Sequence, residues 1–229
     1  MKKLMALAAI GGAVAMAFAA FTSGASAADM ARVRVVHASP DAPAVDVYAD
    51  GAKVLTNVAF KGSSDYLSVP AGPHNLKVFA TGANPATGTA VINADATLEA
   101  GKDYTVVAIG KVADIRPLVL VDNNAAPAAG KAHVRFVHLS PNAPAVDVAV
   151  DGGAVVFADY TFKEASAFTP LDAGTYDLEV RLAGTSTVAL DLDPITLQAG
   201  KIYTVFAKGS AAPSPPVGQE LGAGIIVNN

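Results

Sequence analysis

His37-Ala-Ser-Pro-Asp-Ala-Pro-Ala-Val-Asp-Val47 returns almost unchanged as His138-Leu-Ser-Pro-Asn-Ala-Pro-Ala-Val-Asp-Val148. The two stretches lie 101 residues apart, so the chain carries one domain twice. Agreement spreads outward from them. Val33-Arg34-Val35-Val36 precedes the first and Val134-Arg135-Phe136-Val137 the second. Asp50-Gly51 is matched by Asp151-Gly152, and Pro70-Ala71-Gly72 by Asp172-Ala173-Gly174. Leu98-Glu-Ala-Gly-Lys-Asp-Tyr-Thr-Val106 is matched by Leu197-Gln-Ala-Gly-Lys-Ile-Tyr-Thr-Val205, and Val121-Asp122-Asn123-Asn124 by Val227-Asn228-Asn229. Such a period is too long for a solenoid repeat and suits two tandem domains, with small insertions between strands.

Within each repeat, short apolar runs rich in Val, Thr and Ala are punctuated by Gly, Pro, Asn and Asp. No long stretch has helical period. This is the pattern of an all-β sandwich. Strands are expected near 31–37, 44–50, 52–60, 64–69, 74–81, 89–98, 103–110 and 116–122, and again near 132–138, 145–151, 153–162, 166–170, 175–183, 187–197, 202–208 and 224–228. Asp50-Gly51 and Asp151-Gly152 read as hairpin turns. The two Leu-x-Ala-Gly-x-x-Tyr segments resemble the tyrosine corner of Greek-key sandwiches, with Tyr104 and Tyr203 reaching back to upstream backbone. The repeats span 28–123 and 131–229, joined by a linker at 124–130 that contains Pro127. The largest asymmetry is a loop at 209–224 holding Pro213, Pro215 and Pro216, where the first repeat has only a short link from Gly110 to Ile115.

Residues 1–27 read as a signal peptide: Lys2 and Lys3, an apolar run from Leu4 to Phe21, and Ala25-Ser26-Ala27 before the cleavage point. Export is the expectation, and no other apolar run is long enough to span a membrane. Without those lysines, fourteen basic side chains face twenty acidic ones, a net charge near −6. That balance argues against nucleic acid and anionic lipid as partners. Cysteine is absent, which excludes disulfides, thiolate metal sites and a cysteine nucleophile. Tryptophan is absent too, removing the commonest sugar-stacking side chain.

The two His-x-Ser-Pro-x-Ala-Pro-x-Val-Asp-Val motifs, together with the Leu-x-Ala-Gly-x-x-Tyr turns, make the chain from residue 28 onward resemble the family called domain of unknown function 4397. That resemblance implies exported bacterial or archaeal domains, often in tandem, with an immunoglobulin-like or transthyretin-like Greek-key β-sandwich. It brings no catalytic residues.

The residues that remain candidates for chemistry lie in the motif. His37 and His138 close apolar strand faces; they read as core-edge histidines bonded to turn backbone, or as a metal ligand or general base. One His per domain makes a poor metal site. Asp46 and Asp147 read as caps of the Ser-Pro-x-Ala-Pro loop; the alternative is calcium, with Asp41 or Asn142 as co-ligand. Ser39 and Ser140, with a His two residues before and an Asp seven after, supply the residue types of a hydrolase triad, but they sit before proline in a turn and lack a nucleophile elbow. Tyr48, Tyr66 and Tyr160 are candidates for an exposed binding surface. The expectation is a secreted or cell-envelope-associated, non-enzymatic binding or adhesion module, with no cofactor, for a surface polymer or protein. A self-assembling matrix or surface-layer protein is the alternative, and a serine hydrolase the weaker one.

Overall fold

The computed structural model describes residues 29–229. The segment read as a signal peptide lies outside the described residues. The first repeat forms β1 (Met30–His37), β2 (Val45–Ala49), β3 (Ala52–Val58), β4 (Leu67–Pro70), β5 (Gly72–Ala80), β6 (Ile92–Leu98), β7 (Asp103–Ile109) and β8 (Arg116–Asp122). The second forms β9 (Lys131–His138), β10 (Val146–Val150), β11 (Val155–Tyr160), β12 (Thr169–Asp172), β13 (Gly174–Tyr176), β14 (Leu178–Leu182), β15 (Val188–Asp191), β16 (Ile195–Leu197), β17 (Ile202–Lys208) and β18 (Gly222–Val227).

Each repeat is a two-sheet sandwich. In the first, sheet order is β4-β1-β7-β8 over β3-β2-β5-β6; in the second, β12-β9-β17-β18 lies over β11-β10-β14-β15. The chain switches sheets between β1 and β2, β3 and β4, β4 and β5, and β6 and β7. β1 runs parallel to β7 and β9 parallel to β17, and all other pairs are antiparallel. Four strands in each sheet with this parallel pair is the transthyretin-like form of the expected sandwich, not the seven-stranded constant immunoglobulin form. The strand read near 187–197 is split into β15 and β16, which pair with β14 and β13. Pro194 lies in that gap and has no N–H to continue the ladder. At the first hairpin Asp50 and Gly51 both take positive φ (51° and 83°), the two-residue turn that matches strand twist.

The sandwich cores follow strand alternation. Val35, Val45, Val47, Leu55, Val78 and Ile92 fill the first; Phe136, Val146, Val148, Phe157, Val180 and Val205 fill the second. Tyr104 and Tyr203 stand at equivalent places, where Glu99 N–H and Gln198 N–H each donate to a phenol oxygen at 3.0 Å.

A third apolar cluster joins the repeats. Val36, Val107, Ile109 and Leu120 of the first sandwich pack on Val137, Leu139 and Phe206 of the second. The sheets containing β1 and β9 are therefore covered on both faces, which is why β7 and β17 are buried along nearly their whole length. Charged residues lie inside this interface. Arg34 and Arg135 are each 3% exposed. Arg135 Nη2 donates to Asp122 Oδ1 at 2.5 Å, and Arg34 Nη2 lies 3.9 Å from Asp122 Oδ2. Asp122 Oδ2 also accepts from Thr105 Oγ1 and Tyr66 Oη, both at 2.6 Å. Burial, above all, pushes the Tyr66 phenol up to about 12, so it stays a donor. Across the pseudo-twofold, Asn228 replaces Asp122: its Oδ1 accepts from Arg34 Nη2 and from Thr204 Oγ1, both at 3.1 Å. Each guanidinium also covers an aromatic face, Arg34 that of Tyr66 at 4.6 Å and Arg135 that of Phe168 at 4.5 Å.

Lys208 enters the same interface from β17 and donates to the Lys61 carbonyl at 3.2 Å. Burial, and then the charge of Lys61, push its ammonium down to about 8.

Asp122→Asn leaves two buried guanidiniums with no carboxylate. The expected cost is about 3–5 kcal/mol, seen as a lower urea midpoint at unchanged m-value. Lys208 works in the opposite sense. Its folded pKa lies below its ordinary 10.5, so the unfolded chain binds the proton more tightly and stability rises as pH climbs from about 8 toward 10.5. Lys208→Met is expected to raise stability at pH 7 by about 1–3 kcal/mol, a gain that shrinks in melts recorded above pH 8.

Candidate functional site

The repeated motif folds as a lock at the end of each first strand. His37 and His138 are fully buried. Nε2 of His37 lies 3.0 Å from the Pro43 carbonyl and that of His138 3.1 Å from the Pro144 carbonyl. A carbonyl only accepts, so Nε2 carries the proton in each. Nδ1 then accepts the N–H of Ser39 or Ser140, at 3.3 Å in both. Both rings therefore bridge the two ends of the Ser-Pro-x-Ala-Pro loop in the neutral form, and burial lowers both pKa values. With both nitrogens occupied, neither ring is placed to take a proton from the neighbouring serine.

The serines are fully buried too. Ser140 Oγ donates to the Gly209 carbonyl at 2.8 Å, tying the motif to the chain leaving β17. Ser39 Oγ has no partner among the described residues. The acids do not complete a triad. Asp46 Oδ1 accepts from Asn57 N–H at 2.9 Å and Thr81 Oγ1 at 3.1 Å, while Oδ2 meets Lys53 Nζ at 2.7 Å. Asp147 accepts from Asp159 N–H at 2.7 Å and Gly184 N–H at 2.9 Å. The loop these carboxylates cap is therefore not the Ser-Pro-x-Ala-Pro loop. They cap the bulged partner strand, where Asn57 and Asp159 take positive φ and turn their N–H groups toward the acid. Hydrogen bonding, against the cost of burial, holds Asp46 below the usual carboxylate range. The calcium co-ligands expected from sequence are engaged elsewhere: Asp41 Oδ1 accepts from Val112 N–H at 2.8 Å, and Asn142 Oδ1 from Ala211 N–H at 3.1 Å. No group of three or more His, Asp or Glu that could hold a metal occurs among the described residues.

The tyrosines form no open platform. Tyr48 is buried, edge-on to Phe79 at 5.4 Å; Tyr66 lies under Arg32 and Arg34; Tyr160 packs on Phe136 and Phe157. Neighbouring side chains, not strand alternation, decide how far each tyrosine is covered.

The motif and the loop at 209–224 meet at one end of the second sandwich. Asn142 Nδ2 donates to Ser210 Oγ at 3.1 Å and, with Ser140, fixes the base of the loop. Between the loop and the sheet lies a cleft of about 490 Å³, lined by Pro144, Val180, Leu182, Ala189, Pro215 and Glu220 among others. The first sandwich treats the same end differently. Strand pairing makes Ile92 the counterpart of Leu190, and Val91 and Ala189 are the residues that precede them in sequence. There the short link brings Ile115, together with Val91, onto the core formed by Val45, Val78 and Ile92. One end is plugged and the other is open. Sequence singled out the loop but missed Leu182, Ala189, Leu190 and Glu220, because their convergence depends on a cross-strand register that only the structure supplies.

The histidine locks set a pH dependence. Each folded pKa is below the ordinary 6.5. Below that pH the unfolded chain gains protons that the folded chain refuses, so stability falls as pH drops below about 6.5. The melting temperature is expected to decline across that window. His37→Gln with His138→Gln is expected to melt lower at pH 7 and to show a shallower decline, measured by circular dichroism.

Among curated proteins none matches this sequence. Solved structures give faint likenesses. The Bacillus anthracis TIE protein is 13% identical with a TM-score of 0.25; 80% of this chain is covered, but only 34% of that one. A leucine-rich repeat protein of Bacteroides thetaiotaomicron is 14% identical with a TM-score of 0.21, over 77% of this chain and 26% of that one. A putative cell adhesion protein of Parabacteroides distasonis is 11% identical with a TM-score of 0.23, over 87% of this chain and 98% of that one. Scores this low carry no functional argument. The family model described as Domain of unknown function (DUF4397) matches residues 31–149 and 140–220, and so takes in both locked motifs. The chain belongs to that family.

Proposed function

We propose that this protein is a secreted or cell-envelope-associated, non-enzymatic binding module that engages a cell-surface polymer or protein through the open end of its second sandwich. The observation that carries this reading is the cleft of about 490 Å³, a size typical of ligand sites, at a place where the sister repeat is filled. The non-enzymatic reading is supported by the engagement of both motif histidines and both motif aspartates in structural hydrogen bonds. Among the described residues no helix is long and apolar enough to cross a membrane.

A second reading, self-assembly, draws on the outer edge strands β8 and β18. There Val121 is 58% and Val227 48% exposed, at matching positions on edge strands.

Co-sedimentation of the purified protein with envelope fractions of its own source tests the proposal. Saturable binding is expected, with about tenfold or greater weakening in Ala189→Leu, which fills the cleft from an exposed strand position. Binding unchanged in that variant moves the site away from the cleft. No binding, together with concentration-dependent growth in light scattering, replaces the module with the self-assembling protein.

A further inference from the structure

Resting on the reading that this end of the molecule binds, we propose that the cleft of the second sandwich takes a small aliphatic ligand carrying a primary ammonium group. The lining decides the chemistry. Its walls are Ala, Val, Leu and Pro side chains, which suit an alkyl body. No Lys or Arg lines it, so a carboxylate or phosphate head has no cationic partner there. No Phe, Tyr or Trp lines it, so a quaternary ammonium finds no aromatic cage.

The polar groups that do line the cleft are mostly spent on its own architecture. Both nitrogens of His138 are occupied. Ser210 Oγ accepts from Asn142 Nδ2 at 3.1 Å and from Ala212 N–H at 3.3 Å. Glu220 is the exception. Its Oε1 accepts Gly218 N–H at 3.0 Å, and backbone hydrogen bonds, with a smaller contribution from the charge of Lys61 outside the lining, hold its pKa below the ordinary value. An exposed carboxylate has about four acceptor sites, so Glu220 keeps capacity for further donors. A single anionic acceptor at an aliphatic cleft selects an alkyl chain that ends in N–H donors. The proline-braced loop holds that acceptor in place, because its base is pinned by Ser140 and Asn142.

The test is a titration of the purified protein with n-octylammonium, n-octyltrimethylammonium, n-octanol and n-octanoate below their aggregation limits. Binding is read by isothermal calorimetry and by methyl shifts of Val180, Leu182, Leu190 and Leu221. The expected order is ammonium tightest, then octanol and the trimethyl compound, with octanoate weakest. Glu220→Gln is expected to lower the ammonium preference over octanol about two- to fivefold, the scale of an exposed ion pair, and to leave octanol binding unchanged. Ala189→Leu is expected to weaken all four, with Ala189→Val, the residue type of the first repeat at position 91, as a milder filling that the scaffold already accommodates. Equal binding of octanol and octylammonium, or an unaltered preference in Glu220→Gln, overturns the head-group assignment and leaves the cleft as a binding site. Tighter binding of octanoate, shifts mapping elsewhere, or no binding by any probe overturns the ligand assignment outright. Envelope co-sedimentation then decides the broader reading by itself.

Discussion

Asp122 is one carboxylate, withdrawn from water, between two arginines that belong to different repeats, and the placement of one sandwich against the other follows from it. Two guanidiniums in an apolar interface are costly unless paired and hydrogen-bonded. Here they find acceptors across the interface only when the outer faces of the β1 and β9 sheets meet, since each arginine reaches the last strand of the other repeat. The two halves of the network differ chiefly where Asn228 stands for the acid and Phe168 for Tyr66. That exchange gives the pair a direction. Two second sandwiches meeting face to face would bury two arginines with no carboxylate, so the observed pairing of unlike repeats is the better-compensated one.

The motif that dominates the sequence works inside each sandwich. Histidine closes the proline loop, aspartate caps the bulge of the neighbouring strand, and Asp41 in the first repeat, or Asn142 with Ser140 in the second, fixes the chain that leaves the last inner strand. Scaffold and variable segment are thereby separated. The first repeat uses its short exit segment to seal the core end with Ile115; the second, with the same anchors, supports a longer proline-braced loop over smaller side chains. Difference between the repeats, more than their likeness, points to the place where the molecule meets something else.

Much of this was legible from sequence. Duplication, the eight strands of the first repeat and the tyrosine corners follow from patterns of period two and from turn residues, which are local. Histidine's bond to turn backbone was readable for the same reason. What alternation could not give was the second burial. Val33-Arg34-Val35 looks like a strand with one wet face, yet Arg34 is buried because another sheet covers that face. The apolar run of β7, Val106 to Ile109, was the available sign that its sheet is covered on both sides. The aspartates were assigned to the wrong loop because a bulge in the partner strand, not proximity in sequence, aims the donors at them. The cleft gathers Ala189, Leu182 and Pro144 from three separate segments, a convergence that no single segment encodes.

Val217 stands at the crest of the loop over the cleft, 98% exposed, between Pro216 and Gly218. Nothing in the fold leans on its side chain, and the chain holds neither tryptophan nor cysteine. A cysteine introduced there would be the sole thiol of the chain, so one label would sit on that loop, uncoupled from the core, and would report on its surroundings alone.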